Sequence, residues 1–184
     1  MNRPTRLLLI GVLVLIVGYP IYARRFQIEA KIWHWTHGYS AAVGDYIVPV
    51  PDHWLIVVED VDGRDLTMVD TFVKRQAGLL QTANSITVMT LSQPMRSLDA
   101  WETIRREQLE QSGLRDIESR TLRAADEKVI CLGGNELRDV LHVPGTTLLS
   151  LDCQSAGKLN LMFVGYRSEL EDFYRITSQI RKRK

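Results

Sequence analysis

The sequence predicts an α+β fold, in which an antiparallel β-sheet is covered by helices and preceded by one N-terminal transmembrane helix. One observation is an uncharged apolar run, Leu7 to Tyr22, close to the N-terminus. Another is the order of the remaining segments, which is strands, helix, strands, helix and is typical of an α+β domain. The third is an ordinary globular composition: 23 Lys+Arg against 22 Asp+Glu in 184 residues give a net charge of +1. This near-neutral charge gives no electrostatic indication of nucleic-acid binding.

The apolar run predicts a membrane anchor over residues 1–23. From Leu7 to Val17 every residue is apolar or glycine, and the next charge is Arg24. Because a signal-peptide core takes roughly 7–15 apolar residues and a full span roughly 17–25, both readings are open. Cleavage after Ala23 would put Ile21 where a small residue is preferred, so we predict an uncleaved anchor. Arg24 and Arg25 would then reach the lipid headgroups.

The orientation of this anchor depends on the cysteines more than on the flanking charges. Arginines stand on both sides of the run, so the positive-inside rule is nearly balanced. Cys131 and Cys153 favour an oxidising exterior. We therefore predict a single-pass protein of the cell inner membrane with its C-terminal domain on the extracytoplasmic (periplasmic) side.

Residues 24–43 predict an interfacial helix or stalk that leaves the membrane. Apolar side chains recur at helical spacing from Phe26 to His37. Trp33 and Trp35 suit the boundary between bilayer and water, but they could equally pack beneath the domain. Both placements remain open.

The first half of the domain, which we begin at residue 44, predicts an extended segment followed by three strands. Pro49 and Pro51 each push the preceding residue towards extended geometry. The acidic stretch Asp60–Arg64 predicts a turn and Phe72–Asn84 a loop. The predicted strands are Leu55–Val58, Leu66–Thr71 and Ser85–Leu91.

A helix is predicted next over Leu98–Ser112, with Ser97 as the N-cap and Gly113 as the C-terminal stop. Its apolar stripe comprises Leu98, Trp101, Ile104 (or Arg105) and Leu109.

The second half predicts three or four strands and a closing helix. The strands are Asp116–Arg123, Lys128–Leu132, Thr147–Cys153 and Leu159–Tyr166. The helix Glu169–Ile180 places Leu170, Phe173, Ile176 (or Thr177) and Ile180 on one face, which ends the domain at residue 180. The basic tail 181–184 suits either a solvated terminus or contact with anionic headgroups.

This order of elements resembles the PsbP-like superfamily of small extracytoplasmic domains. The resemblance rests on Tyr46-x-Val48-Pro49-x-Pro51-x-x-Trp54, on the segment Leu161–Gly165, and on the last helical turn Ile176-x-x-Gln179-Ile180. It implies an α/β/α sandwich and a binding, assembly or accessory role without a shared catalytic site. No site residue carries over, and the chain lacks the lipoprotein cysteine of many such proteins.

Cys131 and Cys153 predict a structural disulfide. They lie 22 positions apart on two strand candidates. If the hairpin turns about His142, the two cysteines face each other; a turn at Val143–Thr146 would break that match. Two free buried thiols in a cytosolic domain are the alternative.

Three histidines, His34, His37 and His53, are the candidates for a metal site, since His34 and His37 share a helical face. No named ligand spacing accompanies them. The sequence also lacks G-x-S-x-G and a phosphate-binding glycine pattern. We therefore predict no cofactor and no catalytic residue.

Together these observations predict a non-enzymatic, membrane-anchored envelope protein whose small domain binds or assists a protein partner. An enzyme or metal-binding domain that uses the three histidines is one alternative. A lipid-surface-binding domain that uses Trp33, Trp35 and the basic tail is another.

Overall fold

The computed structural model describes residues 18–22, 24–59, 62–70, 84–140 and 143–183. The apolar run Leu7–Val17 and nearly all of the predicted loop Phe72–Asn84 lie outside these residues. Residues 18–22 are helical. Within the described residues, no helix combines the length and the apolar character that crossing a membrane requires.

Besides the helical residues 18–22, the described chain contains three α-helices and ten strands. The helices are α1 (Arg25–His37), α2 (Leu98–Gln111) and α3 (Leu170–Ser178), the last preceded by a 3₁₀ turn, Arg167–Glu169. The strands are β1 (Ser40–Val43), β2 (Tyr46–Pro49), β3 (Trp54–Glu59), β4 (Asp65–Asp70), β5 (Ser85–Thr90), β6 (Arg115–Ala124), β7 (Glu127–Val140), β8 (Val143–Ser155), β9 (Leu159–Gly165) and β10 (Arg181–Lys182).

Seven strands form one antiparallel sheet in the order β3-β4-β5-β9-β8-β7-β6. The predicted α+β class is confirmed, and every strand predicted from Leu55 onward lies in this sheet. Neighbours along the chain pair as hairpins except at β5–β9, where the two halves of the domain meet.

A second, three-stranded sheet in the order β1-β2-β10 was not predicted. The extended segment that begins at Tyr46 is its central strand, with β1 on one side and β10 on the other. The fold therefore includes β1, within the segment assigned to the stalk, and β10, within the tail assigned as solvated or lipid-bound. Strands of four and two residues carry too little periodicity to be recognised in sequence.

The hydrophobic core lies between the two sheets and α3. Its largest fully buried side chains include Trp54, Phe163 and Phe173, and the two phenylalanine rings lie 5.2 Å apart. α1 closes one side of this core, because Ala30 is fully buried and Trp33 packs against the cluster. The helix predicted to be interfacial is thus also part of the domain.

α2 begins and ends close to the predicted positions, and Ser97 accepts the predicted capping hydrogen bond from the amide of Ala100 at 3.2 Å. Of the two alternatives for its stripe, Ile104 is 57% exposed, whereas Arg105 lies 2.6 Å from the Asp152 carboxylate. Asp152 alternates along β8 with two core residues, Leu151 and Cys153. Because side chains alternate across a strand, α2 packs on the face of the sheet opposite the core.

β7 and β8 are much longer than the predicted Lys128–Leu132 and Thr147–Cys153. Gly133 and Gly134 resemble a strand end in sequence, yet both lie inside β7. A Cβ atom at Gly134 would overlap with the carbonyl oxygen of Arg115 on β6. The two glycines therefore permit close strand approach beside the irregular pairing between Arg115 and Glu118.

Candidate functional site

The predicted disulfide between Cys131 and Cys153 is confirmed. The two residues are direct partners in the β7–β8 ladder and have 1% and 0% of their surface exposed. The same register pairs Arg138 with Thr146, so the hairpin is centred near residue 142, the arrangement that aligns the cysteines. The disulfide crosses the sheet within the hydrophobic core and is a structural element of the fold.

The structure gives the two histidines of α1 separate surroundings. His34 is 6% exposed; its Nδ1 lies 2.7 Å from the carbonyl oxygen of Gly38 and its Nε2 lies 2.9 Å from that of Pro51. His37 is exposed and stacks on Trp33 at 5.0 Å. Since both ring nitrogens of His34 face backbone carbonyls, this histidine joins the end of α1 to the segment before β3.

His53 pairs with two carboxylates, Asp52 at 3.3 Å and Asp172 on α3 at 3.8 Å. No group of three His, Cys, Asp or Glu side chains placed to hold a metal ion occurs among the described residues. The structure thus does not unite His34, His37 and His53 into one site.

The predicted interfacial residues divide between the two faces of α1. Trp33 is half-buried against the core, whereas Trp35 is 88% exposed. Arg24 is exposed, and the guanidinium of Arg25 lies 4.5 Å from the ring centre of Tyr22. A helical repeat places residues 33 and 35 about 200° apart, so the two tryptophans cannot share a face.

A groove beside the three-stranded sheet was not predicted. One end, of about 380 Å³, is lined by Tyr39, Ile47 and Pro49 together with the end of α3. Tyr39 is 65% exposed and its ring stacks on His34 at 4.7 Å. This aromatic and apolar end adjoins a second part at Ser178 and Arg181, which line both.

The second part, of about 440 Å³, is cationic. Arg123, Arg181 and Arg183 line it and are exposed, while Asp126 supplies an opposing carboxylate. We call the whole cleft, from Tyr39 to Arg183, the Arg181 groove. It combines an aromatic end with a guanidinium-rich end, which suits a ligand that is acidic and partly apolar.

Glu127 fastens the strand that forms one wall of this groove. Its Oε1 lies 2.8 Å from Lys182 Nζ on β10, and its Oε2 accepts a hydrogen bond from the amide of Gly157 at 3.1 Å. Tyr46 of β2 donates to Oε1 at 3.4 Å. The carboxylate therefore joins both sheets and the β8–β9 turn.

The protonation of this cluster follows from its contacts. Burial acts to raise the pKa of Glu127, but hydrogen bonds from Lys182 and Ser155 outweigh it, so the pKa lies below its ordinary value. Burial raises the pKa of the Tyr46 phenol, and the hydrogen bond and charge of Glu127 raise the pKa of Lys182. The cluster is thus an ionised carboxylate with a charged lysine and a neutral phenol.

The sequence contained only part of the signal for the groove. The basic tail was visible, but Arg123 lies on β6 and Tyr39 just before β1, both remote from it in sequence. Only the pairing of β10 with β2 brings these side chains to one cleft. Sequence periodicity gives no information about such a long-range pairing.

No family model matches this chain, and no curated protein sequence matches it. Among solved structures, it is similar to the Ran-binding protein Mog1p of Saccharomyces cerevisiae. The TM-score is 0.41 at 14% identity, over 70% of this chain and 78% of that one. It is also similar to the cyanobacterial PsbP (CyanoP) of Synechocystis sp. PCC 6803, with a TM-score of 0.42 at 15% identity, over 76% of this chain and 87% of that one. Neither likeness carries a conclusion about ancestry or activity.

Proposed function

We propose that this chain is a membrane-anchored envelope protein whose disulfide-bonded domain lies on the periplasmic side of the inner membrane. There the domain binds a protein partner and catalyses no reaction. The observation that carries this proposal is the Cys131–Cys153 disulfide within the core. The order of strands and helices also supports a PsbP-like fold.

The disulfide bears on location because structural disulfides form and persist in oxidising compartments. Both cysteines are almost wholly inaccessible to solvent, and the chain contains no others. The apolar run Leu7–Tyr22 supports the same location, because it can direct export and then retain the domain at the membrane.

The Arg181 groove is the surface that we assign to the partner. Arginine pairs with carboxylates through two parallel hydrogen bonds, so its three arginines favour an acidic segment. Tyr39 and Ile47 at the other end offer apolar contact area. An acidic peptide segment with a large apolar side chain matches both ends.

The location is tested by the intact mass of the protein, which is extracted from its own membranes and alkylated in denaturant so that buried free thiols would also react. We expect a full-length mass without alkylation. Two alkylated cysteines would place the domain in the cytoplasm and overturn the proposal. A mass that begins near Arg24 would contradict the uncleaved anchor.

The partner site is tested by photo-crosslinking in intact cells, with a photoreactive amino acid at Tyr39 or at Ile47. We expect a cross-linked product that disappears when Arg123→Glu and Arg181→Glu are combined. The matched control is Arg96→Glu, an exposed arginine outside the groove. Cross-linking that survives the double charge reversal, or that is equally strong from Ile104 on α2, would remove the groove as the partner site.

A further inference from the structure

We propose that α1 lies flat on the membrane, with Ile28, Ile32 and Trp35 seated at the boundary between lipid headgroups and acyl chains. This inference rests on the anchor of the proposed function. In this arrangement α1 is not a stalk, because it holds the domain against the bilayer.

α1 has two apolar faces. Ala30 and His34 define the inner face, with 0% and 6% of their surface exposed. At 3.6 residues per turn, Ile28, Ile32 and Trp35 lie about 140–200° around the helix from Ala30. The second apolar face is therefore directed away from the domain.

The outer face is strongly exposed. Ile28, Ile32 and Trp35 have 40%, 56% and 88% of their surface accessible, so they form a stripe with one residue per helical turn. Single exposed apolar residues are common on soluble proteins, but a continuous stripe with a nearly bare tryptophan marks an interaction surface.

The charges and aromatic rings around the stripe match a bilayer interface. Arg24, Arg25 and Lys31 flank it, and Glu29 is the sole acidic residue in the sequence of α1. Tyr19 and Tyr22, on the helical residues just before α1, are 62% and 55% exposed. Exposed tyrosine and tryptophan together with lysine and arginine are typical of helices that lie in the headgroup region of anionic membranes.

The position of α1 in the chain also favours the membrane over a protein as the occupant. The stripe begins six residues after the apolar run ends at Tyr22. The inner face of α1 packs on the core and beside β3 through Ala30, Trp33 and His34, so the helix is attached to the domain and is not a free stalk. With its 13 residues, α1 extends about 20 Å, which allows Ile28 and Trp35 to enter the bilayer at the same depth only if it lies flat.

The two tryptophans of the predicted interface lie on different faces of α1. Trp33 packs on the core and stacks on His37, so Trp35 alone belongs to the stripe. Contact with lipid is thus assigned to one side of α1.

The test uses the full chain in vesicles of phosphatidylethanolamine and phosphatidylglycerol, with its disulfide intact. A nitroxide label is introduced by Ile28→Cys, Ile32→Cys or Trp35→Cys, one at a time, and its collision rates with oxygen and with a water-soluble nickel chelate are compared. We expect the oxygen-to-nickel ratio at these positions to exceed that at Ile104→Cys severalfold. Ile104→Cys on α2 is the matched control, because Ile104 and Ile32 are equally exposed (57% and 56%).

Two results would overturn the inference. An oxygen-to-nickel ratio that falls steadily from position 28 to position 35 would show that the helix stands upright. Ratios equal to that of Ile104→Cys would show that the stripe does not contact lipid and is available to a protein partner instead. A label at Leu9→Cys separates this failure from that of the anchor. If position 9 is in lipid and the stripe in water, only this inference fails, whereas water at position 9 removes the anchor itself.

Discussion

Glu127 contacts both sheets, and the stability of the fold depends on pH through the charge of its carboxylate. Its carboxylate accepts a backbone hydrogen bond from Gly157 and contacts Lys182 and Tyr46, while only 13% of its side chain is exposed. Lys182 is 60% exposed, so its ion pair is screened by solvent and contributes little. The hydrogen bonds that Glu127 accepts in its partly buried position account for most of the stabilisation.

We predict that Glu127→Gln lowers the free energy of unfolding by about 1–2 kcal/mol at pH 7. Because the folded pKa of Glu127 is depressed, its ionised form stabilises the fold fully above the unfolded value of about 4.3. That stabilisation is lost as the pH falls through the folded pKa, so the difference between the variant and the native protein shrinks below about pH 4. Urea denaturation at pH 7 and at pH 3 measures the difference in unfolding free energy at each pH, with Glu110→Gln, at an exposed position, as the control. A difference of the same size at both pH values would contradict the assignment.

Single residues also show where sequence reasoning reaches its limit. Cys131 and Cys153 could be paired because the sequence has no other cysteines and a hairpin that turns about His142 aligns them, whereas a turn at Val143–Thr146 would not. Trp33 and Trp35 could not be assigned, since both faces of α1 are apolar and periodicity does not reveal which face the domain covers.

At the scale of elements, β7 depends on glycines that resemble a strand end. Gly134 faces the irregular part of β6, where Asp116 adopts a positive φ of 55° and its carboxylate accepts a hydrogen bond from Asn135. The backbones approach too closely there for any side chain at position 134.

We expect Gly134→Ala to cost about 1–3 kcal/mol of folding free energy, because its Cβ would overlap with the backbone oxygen of Arg115 and force β6 to move. Thermal and urea unfolding of the variant measure this cost. Ser119→Ala, an exposed position on the same β6 strand, serves as the control and is expected to be nearly neutral. If Gly134→Ala were as stable as that control, β6 would not be held close to β7.

The elements whose ends were predicted most accurately were those with a repeating pattern over six or more residues. β5 and α2 have such patterns and matched within about two residues, the usual scatter of element ends. β1 and β10 have none, and the additional length of β7 and β8 comes from pairing with each other across Gly133 and Gly134. The sequence left open whether Ile104 or Arg105 belongs to the stripe of α2 that packs on the sheet. Arg105 is directed towards the sheet because it pairs with Asp152, a contact that the sequence does not reveal.

At the scale of the whole molecule, the disulfide closes a loop between Cys131 on β7 and Cys153 on β8. A cross-link at a sequence separation of 22 restricts the unfolded chain and stabilises the fold by about 3 kcal/mol.

We therefore predict that reduction of the native protein lowers its urea midpoint, with a loss of about 3 kcal/mol in the free energy of unfolding. Urea titrations with and without reductant measure this loss without altering any other side chain. Cys131→Ala combined with Cys153→Ala is the control, since its midpoint should not respond to reductant. An unchanged midpoint for the reduced native protein would show that the cross-link is dispensable for stability.

The α+β class, the individual strands of the large sheet and the disulfide could be predicted because local patterns indicate them. The three-stranded sheet and the Arg181 groove could not, since both depend on β10 reaching β2 across most of the domain. The histidine site, an alternative and not the prediction, was suggested by residues close in sequence, but His34 and His53 have different partners.

The position of β2 between β1 and β10 has a consequence for the order in which the protein folds. β1 is the immediate neighbour of β2 along the chain, whereas β10 comes from the far end of the domain, so their pairing must close a very long loop. Such non-local pairings form late, after the hairpins of the large sheet have offset part of the entropy of closure. Contacts made by β10 should therefore be absent from the folding transition state and should slow unfolding while leaving the folding rate unchanged. The groove wall that β10 supplies would be the last part of the binding surface to be completed and the first to open.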